Sequence, residues 1–454
     1  MLSKEDMDYN MANFYGNMKA TFYRDFNIQS LNPSTGSIGG PITYSRSTTG
    51  TYIGSDGYIK TAAINEPRFT YEYDSTNTLV YRGLYLDNRA SVNAFTYSED
   101  FSQASWTKTN SSVSSSSTLS PNGVDNGTRL QISATSGNIS SSFSVGLISN
   151  SNKRMIYISI MAKAAECSYL NISISDGTYS YDSYYDLATG VVGNNTAGTA
   201  NQLTYVYKYI YRMGNGWYRC ILAGYDNQSA STYTCTFTPS TSASSITGSS
   251  GDGILIFGAN ADYLGNQTVN YHHCFAQYIK TTGSTGSCAA DQCYVNSQNG
   301  STYSRFLSTF NENNFSVYCE FTLPYFFRST ITSNIVTLYG STRLGSNNSQ
   351  ASMRVSNANI NYVYRTSVSS DFGSFAVQES NNKMIITNKQ VPTIIAAMNG
   401  TLATSSASLV PVKFDSLYMN GICCIKKLIY VPSYPGSDNI KRLTTLWAIK
   451  TAPA

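Results

Sequence analysis

Charged residues are scarce in this chain: only 12% of its 454 residues are Asp, Glu, Lys or Arg, and the formal net charge is +4. The positive residues form no block, so the sequence lacks the electrostatic footprint of a nucleic-acid-binding protein. No apolar run approaches the roughly 18 residues that a transmembrane helix needs. The first residues, MLSKEDMDYN, lack the apolar region of a signal peptide. We therefore expect no nucleic-acid partner, no membrane insertion and synthesis in a cytosol.

Histidine is scarcer still, with His272 and His273 as the two examples. Adjacent residues on a strand point to opposite faces, so these two would rarely bind one metal ion. Cys288 and Cys293 lack the spacing of a zinc site. Nine cysteines, an odd number without a secretion signal, favour buried free thiols over a disulfide framework. We expect no metal and no cofactor.

Catalytic motifs are also missing. The sequence contains no Gly-x-Ser-x-Gly elbow, no Walker loop and no HExxH motif. The 26 carboxylates are scattered, and no fixed repeat period indicates a β-helix. We expect no enzymatic activity, while a carboxylate pair brought together from distant strands stays open as an alternative.

What the chain has in quantity is tyrosine, at 37 residues, together with Ser, Thr, Asn and Gly. Aromatic and β-branched residues favour strands, and the residues that build long helices are few. In residues 96–268, short apolar runs alternate with turns at about 8–12-residue spacing, which is typical of a β-sandwich. A similar pattern fills 292–454. The pattern predicts an all-β protein with two tandem β-sandwich domains.

Residues 1–20 differ from everything after them. Their apolar side chains recur at helical spacing, which predicts a short amphipathic helix that needs a partner surface. One interpretation is that the helix packs on its own domain, and the other is that it contacts another subunit or another protein. The residues that would make the second kind of contact are Met7, Met11, Phe14 and Met18.

The segment 21–95 reads as irregular β structure with too little core to stand alone, so we expect it to wrap or connect neighbouring units. Asp56-Gly57 lies between two β-type runs and predicts a hairpin. Arg68 is expected to pin the segment by pairing with a carboxylate, and ligand contact is the alternative. The candidate partners are Glu66, Glu72 and Asp87.

Two groups of tyrosines could form a ligand surface. Aromatic faces stack on sugar rings, and neighbouring polar side chains bind sugar hydroxyls. The stretch TYSYDSYYD therefore provides candidate glycan-binding residues, which are Tyr179, Tyr181, Tyr184 and Tyr185. A second row alternates strictly, which places its members on one face of a strand: Tyr205, Tyr207, Tyr209 and Tyr211. For both groups the alternative is sheet packing or a subunit interface.

Two further features concern the core and the loops. Trp106 and Trp217 are expected to be core anchors. The serine-rich runs Ser111 to Ser117 and Ser240 to Ser250 are expected to be exposed loops.

Four blocks occur in order early in the chain: TGTYIGSDGYIKTA (49–62), NEPRF (65–69), GLYLDNRASVN (83–93) and YSEDFSQASW (97–106). Together they resemble a segment that recurs in virion proteins of tailed bacteriophages, especially tail fibres and related appendages.

Later motifs point the same way. YYDLATGVV (184–192), GNGWYRC (214–220) and ILIFGANADYL (254–264) resemble strands of carbohydrate-binding-module-type jelly rolls, although Asn260-Ala261-Asp262 stands where Gln-x-Glu is usual. The stretch 269–291 resembles a bridge between two modules. The stretch 421–447 resembles the ending of a concanavalin-A/laminin-G-like sandwich, with a late strand, a Pro turn and a short helix at about Ser437 to Thr445.

The resemblance implies a domain order. It consists of an attachment or oligomerisation helix (1–20), the irregular β segment (21–95), a carbohydrate-binding-module-like sandwich (96–268), a linker (269–291) and a laminin-G-like sandwich (292–454).

The resemblance also implies a function. The expected protein is a homotrimeric tail fibre that is made in the host cytoplasm, resides in the virion and binds host-surface glycans. Its N-terminal helix would contact other virion proteins. A capsid-attached head fibre or decoration protein with a weak adhesive role and a glycan depolymerase are the alternatives.

Overall fold

The structure is a computed structural model, and it describes most of the chain with gaps. The predicted N-terminal helix, with Met7, Met11, Phe14 and Met18, lies outside the described residues. Those residues are 22–31, 42–145, 153–178, 180–193, 203–226, 231–267, 277–296, 314–323, 333–340, 350–356, 359–365, 369–376, 382–389, 393–406, 414–419, 421–431 and 434–445.

In the described residues, seven strands precede the first sandwich. They are β1 (Phe22–Asp25), β2 (Thr43–Ser45), β3 (Gly50–Ile53), β4 (Ile59–Ala62), β5 (Arg68–Tyr73), β6 (Leu79–Leu86) and β7 (Ser91–Asn93), with a 3₁₀ turn at Phe26–Ile28 after β1. Strands β3 and β4 pair in register around Asp56 and Gly57, so the predicted hairpin is confirmed.

The first sandwich follows without interruption. Its strands are β8 (Thr107–Thr109), β9 (Ser111–Leu119), β10 (Asn126–Ile132), β11 (Asn138–Ser144), β12 (Lys153–Ala164), β13 (Tyr169–Ser175), β14 (Ser180–Asp186), β15 (Val191–Val192), β16 (Leu203–Arg212), β17 (Tyr218–Asp226), β18 (Thr232–Ser240) and β19 (Gly253–Gln267). One sheet has the order β16-β17-β12-β19-β10-β9, and the facing sheet has the order β15-β14-β13-β18-β11-β8.

Alternation along β12 explains how this sandwich buries both faces of one sheet. Ile156, Ile158 and Ile160 point into the core between the sheets. Met155 and Tyr157 point to the outer face and are also buried, at 0% and 3% exposure. A strand with two buried faces reads as a continuous apolar run, as β12 does. Other parts of the chain therefore cover the outer face of this sheet. The candidate functional site lies at this covered face.

After the first sandwich, the described residues form the remaining strands and one helix. They are β20 (Gly286–Cys288), β21 (Gln292–Asn296), β22 (Asn314–Thr322), β23 (Ser333–Gly340), β24 (Gln350–Ser356), β25 (Asn359–Arg365), β26 (Ser369–Ala376), β27 (Asn382–Lys389), β28 (Thr393–Met398), β29 (Thr401–Ser406), β30 (Phe414–Met419), β31 (Cys423–Val431) and α1 (Ser437–Thr445). The first of these strands pairs with β7 in a two-stranded sheet, and the others belong to the second sandwich. Ile440 of α1 packs on the outer face of the sheet that contains β31, and the predicted late strand and short helix are confirmed.

Strands from the start of the chain complete both sheets of the second sandwich. One sheet has the order β29-β28-β27-β22-β31-β6-β5, with β1 also pairing with β31, and the other has the order β2-β21-β30-β23-β24-β25-β26. Leu84 and Leu86 of β6 join the same core cluster as Phe315 and Ile425. The first sandwich is thus inserted between two parts of the second. The pairing explains why the segment 21–95 has little core of its own, because its apolar residues complete a core whose other half comes some 200 residues later.

Several expectations can be compared directly with these elements. The all-β architecture with sandwich sheets is confirmed. Trp106 and Trp217 are 1% exposed, so both are core residues as predicted. Ser111 to Ser117 is a correction, because this run forms edge strand β9 rather than a loop. Its alternating half-buried and exposed side chains fit the pleat, and a serine-rich composition conceals that period.

Two further findings hold for the described part of the chain. Its eight cysteines are free and buried. None of its helices has the length and apolar character needed to cross a bilayer.

Candidate functional site

A cleft of about 350 Å³ lies where the first sandwich meets the early strands. One wall comes from hairpin β3–β4 and from strand β5 with the turn that follows it. The other wall comes from the outer face and edge of the sheet at β16 and β17. Gln277 and Tyr278, just after the first sandwich, complete the lining. Three segments that are distant in sequence therefore build one concave surface.

Apolar packing holds the two walls together. Ile53 and Ile59 of the hairpin pack in one cluster with Met161, Trp217 and Tyr278 on the outer side of the sheet. The backbone N–H of Ile59 donates to the Pro121 carbonyl at 2.9 Å. The cleft is consequently formed by packed strands rather than by isolated loops, and such a site needs little reorganisation to bind a ligand.

The lining is rich in tyrosine. Tyr85 and Tyr278 are 8% and 5% exposed and lie deep, and the other four are half-buried. A half-buried ring offers an apolar face while its hydroxyl remains available for hydrogen bonds. The six lining tyrosines are Tyr52, Tyr71, Tyr73, Tyr85, Tyr211 and Tyr278.

Tyr73 connects the two walls directly. Its hydroxyl lies so close to Gly57 in the hairpin turn and to Gly214 in the turn before β17 that a methyl group at either position would overlap it. Both glycines have positive φ, at 81° and 79°. Glycine is required at Gly214 for two reasons, the left-handed backbone and the close approach of the Tyr73 ring.

Hydrogen-bond donors line the deep part of the cleft. Arg219 faces Tyr211 across the β16–β17 ladder, and its Nε and Nη2 donate to the Ser159 hydroxyl at 3.2 and 3.0 Å. Burial lowers the pKa of the Arg219 guanidinium. Gln277 is 6% exposed and its Nε2 has no hydrogen-bond partner among the described residues.

A cluster of buried charged residues, Arg46, Arg68 and Asp291, lies beside Gln277. The guanidinium of Arg68 donates to Gln277 Oε1 and to Asp291 Oδ2, and it lies 4.4 Å above the centre of the Tyr85 ring. Arg46 also pairs with Asp291, at 3.3 Å. Burial alone would lower the pKa of Arg68, but the adjacent Asp291 carboxylate and the neighbouring Tyr85 and Tyr44 together outweigh it and raise that pKa. The cluster fixes the amide orientation of Gln277 and ties β2 and β5 to the residues before β21.

The partner of Arg68 differs from the expected ones. The expected pinning by a carboxylate occurs, but the carboxylate is Asp291 rather than a nearby one. Glu66 instead accepts from the Ala63 backbone N–H at 2.6 Å, and Glu72 pairs with Arg82 at 3.0 Å. Asp87 contributes its backbone N–H to Asp291 at 2.8 Å. Sequence proximity could not indicate a partner 223 residues away.

Among the described residues, two carboxylates line the cleft, and both have structural contacts. Glu72 pairs with Arg82. Asp74 accepts hydrogen bonds from the backbone N–H groups of Thr76 and Thr78, each at 2.9 Å, and so closes the turn after β5. Burial would raise the pKa of Asp74, but the Thr76 hydroxyl, which donates at 2.7 Å, and the two backbone hydrogen bonds together outweigh burial and lower that pKa.

The sequence-predicted glycan-binding tyrosines lie elsewhere, and the prediction is wrong for two of them. Tyr185 is fully buried in the first sandwich core, where its hydroxyl donates to the Ile221 carbonyl at 2.5 Å. Tyr184 is 2% exposed, so neither ring can stack on a sugar. Tyr181 is half-buried against the same core, and Tyr179 lies outside the described residues. Three successive residues of β14, Ser183 to Tyr185, are buried, and the tyrosine-rich composition of the stretch did not reveal this.

The second tyrosine row behaves differently. Tyr207, Tyr209 and Tyr211 lie on one face, as predicted. They pack against a buried cluster on the outer face of the sheet, which consists of Met155, Tyr157, Ile221 and Ala223. The rings of Tyr209 and Tyr211 stack with centroids 6.3 Å apart, and Tyr211 reaches the cleft. The side chain of Tyr205 lies outside the described residues. The signal that could have located the site was therefore this row combined with the YEYD run at residues 71–74.

Comparison with known proteins gives no family. No family model matches the chain, and no curated protein matches it. Among solved structures, the CBM40 module of the Ruminococcus gnavus IT-sialidase, bound to α2,3-sialyllactose, is 9% identical, with a TM-score of 0.26 over 31% of this chain and 87% of that one. Domains LG4-5 of the mouse laminin α1 chain are 8% identical, with a TM-score of 0.19 over 76% and 88%. A carbohydrate esterase from the Shiga toxin-encoding bacteriophage phi24B is 10% identical, with a TM-score of 0.22 over 34% and 83%. At these identities and TM-scores none of the likenesses carries an argument about function.

Proposed function

We propose that the chain is an adhesive protein that binds a glycan in the cleft between the first sandwich and hairpin β3–β4. The observation that carries the proposal is the lining itself, which combines six tyrosines with guanidinium and amide donors. Sugar rings stack on aromatic faces through their C–H groups, and their hydroxyls need polar partners at fixed positions. Tyr52, Tyr73 and Tyr211 offer the rings, and Arg219 with Gln277 offers donors.

The proposed role is binding without cleavage. A glycoside hydrolase uses two carboxyl groups that flank the scissile bond, and one of them must be a proton donor with a raised pKa. Of the two carboxylates in the cleft, Glu72 is paired with Arg82 and the pKa of Asp74 is lowered. Their contacts support a structural role for both.

The proposed setting is the virion of a tailed phage, where the chain would serve as a tail fibre that attaches to host-surface glycans. The support is the resemblance of the four sequence blocks between residues 49 and 106 to phage appendage proteins. We extend the proposal to a homotrimer whose N-terminal helix, with Met7, Met11, Phe14 and Met18, contacts other virion proteins. Immunogold electron microscopy of virions tests the setting. Label at the tail supports a tail fibre, and label spread over the capsid contradicts it in favour of the head-fibre alternative.

Glycan binding is tested with the purified full chain on a glycan array, followed by titration calorimetry of the bound glycans. The Tyr52→Ala variant should weaken binding about 3- to 10-fold, because an aromatic contact contributes about 0.5–1.5 kcal/mol. Tyr169→Ala is the matched control, since Tyr169 is equally half-buried but lies in the facing sheet of the first sandwich. Absence of any bound glycan, or equal losses in both variants, would contradict the proposal.

A further inference from the structure

Arg219 lies where the outer face of the first sandwich enters the cleft. In the β16–β17 ladder it is directly opposite Tyr211, so the two side chains leave the same face about 5 Å apart. Its contact with the Ser159 hydroxyl, at 3.0 Å from Nη2, holds the guanidinium beside the cleft floor. A planar guanidinium held in this way can bind a carboxylate through two parallel hydrogen bonds.

Gln277 provides a second donor on the same floor. Arg68 donates to its Oε1, which sets the amide orientation and leaves Nε2 as the group without a partner among the described residues. The side chain is 6% exposed and lines the cleft. A buried donor without an acceptor is unfavourable, so an acceptor oxygen on a bound ligand would relieve that cost.

The environment of Arg219 favours an anionic ligand. Burial lowers the pKa of its guanidinium, and the groups that act most strongly on its charge after burial are Tyr157, Tyr211, Tyr85 and Tyr278. A cation in a poorly hydrated site lined by phenols interacts more strongly with an incoming anion than it would in water. The cleft carboxylates already have other contacts, Glu72 with Arg82 and Asp74 within its turn.

We propose that the cleft selects acidic glycans, with Arg219 binding the carboxylate of a sugar residue and Gln277 donating to an oxygen of the same sugar. This inference rests on the proposed glycan-binding function and names its ligand class. The tyrosines would hold the sugar ring, and the charged group would decide which sugars enter.

The first test uses matched pairs of glycans. An array should contain carboxylate-bearing oligosaccharides, such as oligogalacturonate and hyaluronate fragments, each beside its methyl ester, together with sulfated and neutral oligosaccharides. We expect the bound glycans to carry carboxylates and to lose about 10- to 100-fold in affinity on esterification, as is typical for a charged hydrogen-bonding group. Binding of neutral or esterified glycans with equal affinity overturns the acidic selectivity while the glycan-binding function stands. Preference for sulfated glycans overturns the carboxylate assignment, and absence of all binding overturns both.

The second test assigns the residue. Arg219→Gln should lower affinity for the acidic glycan about 10- to 100-fold and affinity for its methyl ester much less, because only the acid loses a charged partner, whereas Arg219→Lys should retain part of the binding. Arg129→Gln is the control, because Arg129 pairs with Glu166 at the surface of the same sandwich. Raising the salt concentration should weaken binding by the wild type but not by Arg219→Gln. Equal losses for the acid and the ester, or an unchanged salt dependence, overturn the assignment, since a merely structural role would produce them.

Discussion

The two sandwiches use the same kind of strand, but the chain closes them differently. Every strand of the first sandwich lies within one continuous stretch, from β8 to β19. The second takes strands from both ends of the chain, and Phe22 pairs with Tyr430 in its ladder. Closing so long a loop costs conformational entropy before any contact forms. The continuous sandwich can therefore form from its own stretch of sequence, whereas the divided sandwich needs strands from both ends of the chain.

The junction between the two sandwiches carries the contacts that compensate for this division. Asp291 accepts from two buried guanidiniums, Arg46 and Arg68, and from the Asp87 backbone. Asn93 donates to the carbonyl oxygens of Ala259 and Ile279 at 3.0 and 2.7 Å. The same junction shapes the cleft, so stability and the candidate site are linked. The following predictions test this contrast.

The largest effect is expected from removing whole units. Asn93 and Gly286 are paired in the β7–β20 ladder, so a short turn can replace residues 94–285. We expect the joined chain to keep the second sandwich folded, with a single cooperative denaturant transition followed by circular dichroism. A chain that lacks residues 22–93 should fail to fold that sandwich, because four of its strands are missing. If the second chain unfolds as cooperatively as the first, the early strands are dispensable and the contrast is broken.

Asp291→Ala should cause the next largest loss. Removing one partner of a buried ion pair leaves uncompensated charge and costs about 3–5 kcal/mol of unfolding free energy. Hydrogen exchange should show that β6 and β31 lose protection while β12 does not. Glu166→Ala is the control, because the exposed pair of Glu166 with Arg129 should contribute at most about 1 kcal/mol. Similar losses in the two variants would show that the cluster does not stabilise the divided sandwich.

Asp262, on the first-sandwich side of the junction, should make the stability of the fold depend on pH. Burial raises its pKa from 3.8 to about 6, against the opposing charge of Arg89. The folded state therefore binds a proton on Asp262 more tightly than the unfolded state does. The stability that this proton contributes is complete below about pH 4 and is lost as the pH rises through about 6. Asp262→Asn should stabilise the fold by about 3 kcal/mol at pH 7 and flatten the dependence between pH 4 and 6. Thermal unfolding at several pH values measures this, with exposed Asp125→Asn as the control. An unchanged profile would mean that Asp262 titrates normally.

The smallest effect concerns the wall of the cleft. Gly214→Ala adds backbone strain at positive φ and a clash with Tyr73, whereas Gly177→Ala adds a similar strain at φ 93° with no atom within 4 Å of the new methyl group. Both should lose about 1–2 kcal/mol from the left-handed backbone. Only Gly214→Ala should also weaken glycan binding, because Tyr73 must move. Calorimetric titration of both variants decides the point, and equal affinities would separate Tyr73 from the site.

Much of the local structure could be predicted from the sequence. The hairpin at Asp56-Gly57 and the helix at Ser437–Thr445 depend on neighbouring residues, and both were predicted at the right places. The predictions from sequence were wrong where the amino-acid composition of a segment indicated one structure and the spacing of its buried residues another. Strand β9 appeared to be a loop because serine conceals the alternation of a strand. Tyr185 appeared to be a ligand residue, but its ring fills the core.

The site itself could not be predicted, because no single stretch contains it. Tyr73, Tyr211 and Gln277 come together only after the first sandwich has been inserted between the two parts of the second. The all-β class, the strand periods, the tight turns and the need of Arg68 for a carboxylate follow from the sequence alone, since each depends on local backbone preference or on the cost of burying charge. The folded arrangement is needed to show that the carboxylate is Asp291 and that the tyrosines at residues 52–85 face those of the first sandwich. Such contacts depend on which surfaces exclude water together, and sequence distance does not report that.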